Sequence, residues 1–302
     1  MTAKFAIRAG STGIHLFDRQ SGTNILCDEV TVPPSLWSRC PRQVSIALTN
    51  ACDLSCAFCY APKISAGLDH TIVSRWLVEL SDHGCLGVGF GGGEPMLYPA
   101  LVDVCGFATE NTRLAVTITT HGHHITESIA EALRGKVNFI RVSVDAVGLK
   151  YEAIRGRSFS QLRNKICLIR TLSPFGVNCV VNSMTVDDLS ALSDFAATEG
   201  ASEILLLPQR KTNKAPGVDL PTMERLRGWI GSYRGPLQLS ISEEAADGLP
   251  VHMDRSGEQG LRSYAHIDAK GTLRRTSFDS IGATIGQSSI LNALDVLARQ
   301  TT

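Results

Sequence analysis

The sequence carries no excess of charge and no long apolar run. Its 302 residues include 29 basic and 29 acidic side chains, which balance to a formal net charge of zero. A balanced chain offers no electrostatic footprint for nucleic acid or for an anionic membrane surface. Its apolar runs fall short of the roughly 20 residues that a membrane-spanning helix needs, and the first ten residues lack the apolar core of a signal peptide. Binding driven by net charge and insertion into a membrane are therefore not expected.

A framework of disulfide-spaced cysteines is also missing. The chain has nine cysteines, an odd number, and no cysteine follows Cys179. Small secreted scaffolds use even sets of cysteines at paired spacings instead. We therefore expect a cytoplasmic protein, in a reducing compartment where thiolates stay available to bind a metal cluster.

Three cysteines are concentrated in one short stretch. Cys52, Cys56 and Cys59 form a C-x₃-C-x₂-C run directly after an apolar alternation over residues 44–48 that is typical of a strand. Iron–sulfur cubanes are normally held by four cysteine thiolates. Three ligands on one loop would leave one iron without a protein ligand, and a substrate or cosubstrate can coordinate there. The spacing favours chemistry over simple electron storage.

Two other interpretations of these cysteines remain open on spacing alone. A structural zinc site takes four ligands, often as two C-x₂-C pairs, and this chain has no second pair. Free cysteines are also common as small buried side chains. Three cysteines within eight residues of a polar loop fit that second interpretation poorly.

Strand and helix patterns alternate through most of the chain. The predicted strands are 43–49, 86–90, 114–120, 137–145, 177–186, 204–207 and 237–241. The predicted helices are 71–81, 101–107, 127–133, 161–172, 187–198 and 223–233. Such alternation indicates right-handed βαβ units and a parallel sheet. The fold class is therefore α/β, a partial (β/α)₆ barrel of the TIM type, with its active site at the carboxyl ends of the strands.

We expect three segments: one before the alternating strands and helices, one that contains them, and one after them. Residues 1–42 contain short strand patterns at 4–7, 14–17 and 25–32 and form an N-terminal β segment. Residues 43–242 form the barrel. Residues 243–302 form a cap, with a hairpin around 269–271 and a terminal helix that begins at Ser288 or Ser289.

The motifs together resemble the radical S-adenosylmethionine (radical SAM) superfamily over residues 43–210. The three cysteines follow the first strand, Phe58 precedes the third cysteine, and GGGEP ends the second strand. The tail resembles the C-terminal extension called SPASM, or its shorter twitch form. Those extensions place cysteines for auxiliary clusters after the hairpin, where this chain reads Arg274-Arg275-Thr276-Ser277. A second cluster in the tail is therefore excluded.

The resemblance implies one 4Fe–4S cluster and S-adenosylmethionine (SAM) as cofactors. Cys52, Cys56 and Cys59 would ligate three irons, and the fourth iron would chelate SAM. Phe58 would lie against the adenine, and the methionine amino group would meet Gly92, Gly93 and Glu94. The glycine run could equally be a tight turn. Its lack of Cβ atoms would let backbone carbonyls approach an ammonium group closely.

Further cofactor contacts are expected at later strand ends. Ser143 and Asp145 alternate on one strand and so point to one face, which we expect to meet the ribose or the SAM carboxylate. A buried Asp needs a partner. The family resemblance makes Arg155 the counter-charge of the SAM carboxylate, and the alternative is a solvated loop residue. Asn182 is expected near the adenosyl group.

Thr120 begins the sequence THGHH where relatives carry Thr-Asn-Gly, and it is included among the cofactor-binding residues. The histidines His121, His123 and His124 follow at the barrel mouth. Such a group can bind a metal or move a proton, although exposed polar loops of this composition are more common.

The expected function is radical chemistry on a ribosomally made peptide, which would be crosslinked, epimerised or otherwise modified. The SPASM-like tail and an N-terminal β edge for a bound peptide motivate this interpretation. Tyr264, Arg274 and Arg275 are candidate substrate contacts, and an electron donor of the flavodoxin or ferredoxin type is the other expected partner. The alternatives are radical chemistry on a nucleotide, sugar or cofactor precursor, and a non-catalytic cluster-binding protein.

Overall fold

Two β-sheets organise the fold in the computed structural model, which describes residues 5–242, 249 and 257–300. The first is antiparallel, with strands β1 (Ala6–Gly10), β2 (Gly13–Phe17) and β3 (Asn24–Cys27) in that order. The second has ten strands: β4 (Gln43–Thr49), β5 (Gly87–Gly92), β6 (Ala115–Thr120), β7 (Phe139–Ser143), β8 (Phe175–Val181), β9 (Glu203–Pro208), β10 (Gln238–Ile241), β11 (Tyr264–Ile267), β12 (Thr272–Arg274) and β13 (Ala283–Thr284).

The large sheet is a partial parallel barrel. Strands β4 to β9 lie side by side in chain order and run parallel, as the sequence predicts. Strand β10 adds parallel to β9 at one edge, and β11 adds parallel to β4 at the other. Strands β12 and β13 continue antiparallel beyond β11. Within the described residues β10 and β13 form the two edges, so the barrel is not closed.

Helices cover the outer face of this sheet. They are α1 (His70–Asp82), α2 (Leu101–Asn111), α3 (Glu127–Leu133), α4 (Gly148–Arg155), α5 (Phe159–Leu172), α6 (Leu189–Thr198), α7 (Leu220–Ser232) and α8 (Ile290–Arg299). Five begin at a side chain that accepts a backbone N–H of the first turn, namely Asp69, Thr126, Ser158, Asp219 and Ser289. Each such cap stabilises its helix by about 1 kcal/mol.

Side-chain alternation along the strands separates the core from the lumen. In β4, Ile46 and Leu48 are fully buried and belong to the same core as Trp76 and Leu77 of α1. The residues that alternate with them, Ser45 and Ala47, point to the other face of the sheet. Apolar side chains therefore pack under the helices, and small or polar side chains line the barrel interior.

The N-terminal sheet lies at the amino ends of the barrel strands. Arg8 Nη1 donates to Gly84 O (2.8 Å), just before β5, and Arg19 Nη1 donates to Leu114 O (3.1 Å), just before β6. Asn138 Nδ2, before β7, donates to Arg19 O (3.0 Å). This sheet therefore closes the barrel end opposite the cysteine loop.

Two of the elements that differ from the sequence prediction show why such differences arise. Helix α4 was not predicted, because its single buried residue, Tyr151, gives no apolar periodicity; it ends at Gly156, whose φ is +65°. The third N-terminal strand was predicted over 25–32 but ends at Cys27, because the acidic pair Asp28 and Glu29 forms a turn.

Among the described helices, none has the length and apolarity that crossing a bilayer requires.

Candidate functional site

The cysteine loop, residues 50–69, leaves the carboxyl end of β4 and returns to α1. Asn50 N–H donates to Ala66 O (2.9 Å), which pins the two ends of the loop together. Lys63 Nζ donates to Leu54 O (2.6 Å) across its middle. Two carbonyl oxygens of the loop therefore accept hydrogen bonds that link its ends and its middle.

The three thiols of this loop are all free of disulfide bonds. Cys56 is buried, and Cys52 and Cys59 are half-buried. Leu54 N–H points at Cys52 Sγ (3.4 Å), and Arg155 Nη1 points at Cys56 Sγ (3.5 Å). Burial raises the pKa of the Cys52 thiol, and the Leu54 N–H partly opposes this rise.

The donor set of this loop fits an iron–sulfur cluster. Thiolates are the ligands that such clusters take, and N–H groups directed at the sulfurs stabilise their negative charge. A second arrangement also occurs here, because ligand atoms of Cys52, Asp53 and His121 lie within 4.8 Å of one another. The three thiolates of the loop match the ligand type of such a cluster more closely than this mixed set does.

The glycine run at the end of β5 lies directly against the cysteine loop. Gly93 N–H donates to Thr49 O (2.7 Å) and Glu94 N–H donates to Ala51 O (2.7 Å). A Cβ at Gly93 would lie 2.2 Å from Ala51 O, and one at Gly92, where φ is +116°, would lie 2.3 Å from Thr49 O. Glycine is required at both positions by this close approach of two backbones.

The Glu94 carboxylate is buried and fully engaged. It accepts Thr120 Oγ1–H (2.6 Å) and Met96 N–H (3.0 Å) through one oxygen, and His121 N–H (2.9 Å) through the other. Thr120 Oγ1 in turn accepts Gly122 N–H (2.9 Å). Glu94 and Thr120 therefore join the ends of β5 and β6.

The histidines gather around Asp53, a residue that the sequence analysis did not single out. His123 N–H donates to His121 Nδ1 (3.2 Å), so a neutral His121 carries its proton on Nε2, 3.0 Å from Asp53 Oδ1. His124 Nε2 lies 3.1 Å from Asp53 Oδ2, and Arg157 bonds the same oxygen. Although burial opposes it, the adjacent histidines hold the pKa of Asp53 well below its usual range.

His123 is held apart from this carboxylate. Its Nε2 lies 2.8 Å from Tyr151 Oη. Burial, followed by the proximity of His121 and Arg157, lowers the pKa of His123 to about 4. His123 is therefore neutral at physiological pH.

Asp145 and Arg155 form a buried ion pair at the end of β7. Arg155 Nε and Nη2 both lie 2.6 Å from Asp145 Oδ2, and Val180 N–H donates to Asp145 Oδ1 (2.9 Å). The Arg155 guanidinium carbon is also 5.4 Å from the centre of the Phe58 ring. Arg155 is thus neither solvated nor separate from the cysteine loop, because it joins Cys56 and Phe58 to β7.

The other two expected cofactor residues have different surroundings. Ser143 ends β7 on its half-buried face. The Asn182 amide oxygen accepts Met184 N–H (2.9 Å) and its amide nitrogen donates to Gln209 (2.8 Å). Asn182 therefore shapes the turn after β8, and its adenosyl contact stays a prediction.

Two of the three tail residues expected to meet substrate, Arg274 and Arg275, are engaged within the tail. Arg274 donates to Asp268 Oδ2 (3.0 Å) and to Ser280 O (2.7 Å), and Arg275 donates to Leu297 O (2.9 Å). Tyr264 lies on β11 beside β4 and neighbours Ser45. Arg274 and Arg275 thus hold the hairpin and α8 together.

An aromatic group that the sequence analysis missed lies beside the third cysteine. The Tyr60 ring centre is 6.3 Å from that of His266 and 5.3 Å from that of Phe278. The Arg210 guanidinium carbon, after β9, lies 4.8 Å from the Phe278 ring centre. The tail therefore reaches across the open side of the barrel mouth, and only the three-dimensional fold brings these residues together.

Residues 46–192 match the family model of the radical SAM superfamily. The sporulation killing factor maturation protein SkfB of Bacillus subtilis is 27% identical over 198 residues, which are 62% of this chain and 47% of SkfB. The chain thus spans about half the length of that relative. The AdoMet-dependent heme synthase of Methanosarcina barkeri is 25% identical over 85% of this chain and 78% of its own length.

The fold resembles that of SuiB from Streptococcus suis, solved bound to its precursor peptide SuiA. The TM-score is 0.77 at 15% identity, over 96% of this chain and 87% of SuiB. At this identity the likeness concerns the fold. It covers the N-terminal sheet, the partial barrel and the tail together.

Proposed function

Because this chain belongs to the radical SAM superfamily, we propose that it is a radical SAM enzyme that modifies a ribosomally made peptide. The observation that carries the proposal is the loop of three unpaired thiols at the carboxyl ends of the strands, packed against Gly92 and Gly93. A reduced 4Fe–4S cluster and SAM, when bound there, supply a 5′-deoxyadenosyl radical that abstracts a hydrogen atom from substrate.

Cys52, Cys56 and Cys59 hold the cluster in this proposal, and Phe58 lies against the adenine. The carbonyls of Gly92 and Gly93 receive the methionine ammonium. The Glu94 carboxylate already has three donors, so its part is to fix the glycine run in place through Thr120. Each of these roles is consistent with the contacts that the residue makes.

Arg155 has the strongest support among the remaining contacts. It is buried between the cysteine loop and Asp145, and only part of its five-donor fork is used by that carboxylate. We assign it to the SAM carboxylate, with Asp145 fixing its orientation. Ser143 is assigned to the ribose and Asn182 to the adenosyl end, both on their position at strand ends.

The names of two similar proteins support a peptide substrate. SkfB is a maturation protein for a sporulation killing factor, and SuiB was solved with a precursor peptide. A small-molecule substrate is the second candidate, because the heme synthase also resembles this chain and the lumen is polar: Arg141 pairs there with Glu203.

The electron donor is proposed to be a flavodoxin- or ferredoxin-like protein, since cluster chemistry needs one-electron reduction.

Formation of 5′-deoxyadenosine tests the proposed chemistry. The anaerobically reconstituted protein, reduced with dithionite and given SAM, should release this product, and Cys56→Ala should release none. The matched control is Cys167→Ala, because Cys167 is exposed on α5. Absence of the product from the parent protein would support the non-catalytic alternative. Incubation with short precursor peptides and mass spectrometry then separates a peptide substrate from a small molecule.

A further inference from the structure

Strand β5 presents only glycine to the barrel lumen. Val88 and Phe90 of this strand are buried in the core under the helices. The residues that alternate with them, Gly87, Gly89 and Gly91, therefore face the lumen, and all three are half-buried. Glycine within a strand costs conformational entropy and brings no side chain to pack, so its use at every lumen-facing position of β5 calls for a physical reason.

Backbone conformation and crowding do not supply that reason at Gly89 and Gly91. Neither has a positive φ, unlike Gly92. A Cβ at Gly89 would meet only Thr117 Oγ1, at 3.9 Å. One at Gly91 would meet only Thr119 Cβ, at 4.0 Å. Both are ordinary contacts within the sheet, so among the described residues the two glycines leave unfilled space above β5.

Small side chains on both neighbouring strands extend this space. Gly89 pairs with Ser45 of β4 and with Thr117 of β6. Gly91 pairs with Ala47 of β4. We call the surface that results the glycine floor, and it comprises Ser45, Ala47, Gly89, Gly91, Thr117 and Thr119. Two rows of residues on three strands cover about 7 Å by about 10 Å, with bare peptide groups along the middle.

The hydroxyl groups in one row of the floor already have partners. Thr117 Oγ1–H donates to Val88 O (3.1 Å), and Ser45 Oγ lies 3.2 Å from His266 Nδ1. A group that lies on this row therefore meets mainly carbon atoms and backbone. Apolar surface suits it better than a strong hydrogen-bonding group does.

The charge beside the floor is paired as well. Arg141 of β7 lies opposite Thr119 and forms an ion pair with Glu203. A charged side chain placed on the floor would leave water without a free counter-charge in this pair, which is unfavourable. The floor therefore selects against charged groups.

Aromatic rings stand at both sides of the same row. His266 of β11 lies opposite Ser45, and Phe139 of β7 lies opposite Thr117. Rings attract one another in offset and edge-to-face arrangements, beyond the effect of the area that they bury. The row thus offers ring contacts at its two ends and a nearly flat backbone surface between them.

We infer that the glycine floor receives an aromatic side chain of the substrate peptide, which lies flat against the backbone of β5. The inference rests on the proposed function in taking a peptide to be the substrate. A planar ring covers the bare peptide groups without a clash and reaches the rings of His266 and Phe139. Filling Gly89 with a side chain should therefore close the site.

The position of the floor relates this ring to the cofactor. Gly89 precedes Gly92 by three residues, or about 10 Å at about 3.3 Å each. Gly92 and Gly93 are assigned above to the methionine ammonium of SAM. A ring on the floor therefore holds its own residue just below the cofactor, and the modified residue should be aromatic or next to an aromatic residue in the substrate.

Saturation-transfer difference NMR on the anaerobically reconstituted protein tests this inference. N-acetyl-L-tryptophanamide should bind at least ten-fold more tightly than N-acetyl-L-leucinamide. Gly89→Leu should weaken the tryptophan probe at least ten-fold, because the new side chain occupies the floor. The matched control is Gly228→Leu, since Gly228 is exposed on α7 and its Cβ would meet nothing within 4 Å.

Equal affinity for the two probes overturns the inference, as does equal affinity of the parent and Gly89→Leu for the tryptophan probe. The tryptophan probe should bind equally with and without SAM. Displacement by SAM would show that the floor holds the adenine and would also overturn the inference.

Circular dichroism shows whether Gly89→Leu is folded. If it is not, Gly89→Ala serves as the test, because its Cβ makes only an ordinary contact, and it should weaken the tryptophan probe several-fold. Release of 5′-deoxyadenosine by the parent separates this inference from the proposed chemistry. A parent that binds the probe but releases no product counts against the chemistry, and a parent that releases product but shows no preference for the tryptophan probe counts against the floor.

Discussion

Asp145 and Arg155 show how one ion pair ties the cysteine loop to the barrel. Both side chains are almost completely inaccessible, and Arg155 reaches Cys56 and Phe58 from the end of α4. Breaking such a pair by removing one partner leaves a buried charge without compensation. We predict that Arg155→Met lowers the free energy of unfolding by about 3–5 kcal/mol, measured by urea denaturation.

The control for this prediction removes the second charge as well. The double variant Arg155→Met with Asp145→Asn should recover part of the lost stability, because no unpaired carboxylate remains buried. An Arg155→Met protein as stable as the parent would show that the pair does not hold the loop.

His266 gives the molecule an acid-sensitive stability. It is buried on β11, Ser45 Oγ lies 3.2 Å from its Nδ1, and burial lowers the pKa of His266 to about 4. The unfolded residue titrates near 6.5, so the stability it contributes is complete above that pH and is lost as pH falls toward 4. We predict that lowering the pH from 7 to 5 costs the parent about 2 kcal/mol more than it costs His266→Gln, measured by urea denaturation at both values.

Single residues were predictable from sequence only where a motif names them. The cysteine spacing and GGGEP directed attention to the loop and to Glu94. Asp53 and Tyr60 lie between or beside those cysteines, yet their partners His121 and Phe278 are far along the chain. Such contacts depend on the fold and leave no local pattern.

At the scale of elements, the contact between the glycine run and the cysteine loop decides where the thiols lie. We predict that Gly93→Ala displaces the loop, because its Cβ would lie 2.2 Å from Ala51 O. Iron bound after reconstitution should fall several-fold, measured by a colorimetric iron assay. Gly89→Ala on the same strand is the matched control, since its Cβ would meet only Thr117 Oγ1 at 3.9 Å. Equal iron content in the two variants would contradict this role.

Element prediction succeeded where periodicity was strong and failed where it was weak. The six barrel strands carry alternating or continuous apolar residues, and all six were found. Helix α7 was predicted from residue 223 but begins at Leu220, because Asp219 caps it and Pro221 fits its first turn. Helix α4 has one buried residue, so its sequence has no apolar stripe to detect.

At the scale of the whole molecule, the tail belongs to the same sheet as the barrel. Strand β11 pairs with β4 from Tyr264–Gln43 to Ile267–Ile46, and the Glu79 carboxylate of α1 accepts Ile290 N–H (2.9 Å) at the start of α8. The boundary between barrel and cap that the sequence predicts at residue 243 therefore stays a prediction. We predict that the full chain unfolds in urea in a single transition when circular dichroism is used to monitor unfolding.

Removing the tail should destabilise the barrel. A chain ending at residue 242 loses β11, one of the two strands that pair with β4, and uncovers part of α1, so it should aggregate or unfold at lower urea than the parent. A truncated chain with the stability of the parent would show that the tail is an independent cap.

The overall architecture was more predictable than the arrangement of its ends. Alternating strand and helix patterns favour a parallel partial barrel whatever the loops contain. The edge placement of β10 and β11, and the position of the N-terminal sheet under the barrel, depend on long-range pairs such as Arg8 with Glu258 (2.7 Å). No spacing in the sequence encodes those pairs.

Electron paramagnetic resonance of the reduced, reconstituted protein tests the central claim most directly. One cluster held by Cys52, Cys56 and Cys59 should correspond to about four irons per chain. Its open iron should bind SAM, so adding SAM should change the g values of the reduced cluster. A spectrum that SAM leaves unchanged, in a protein with its full iron content, would contradict the claim.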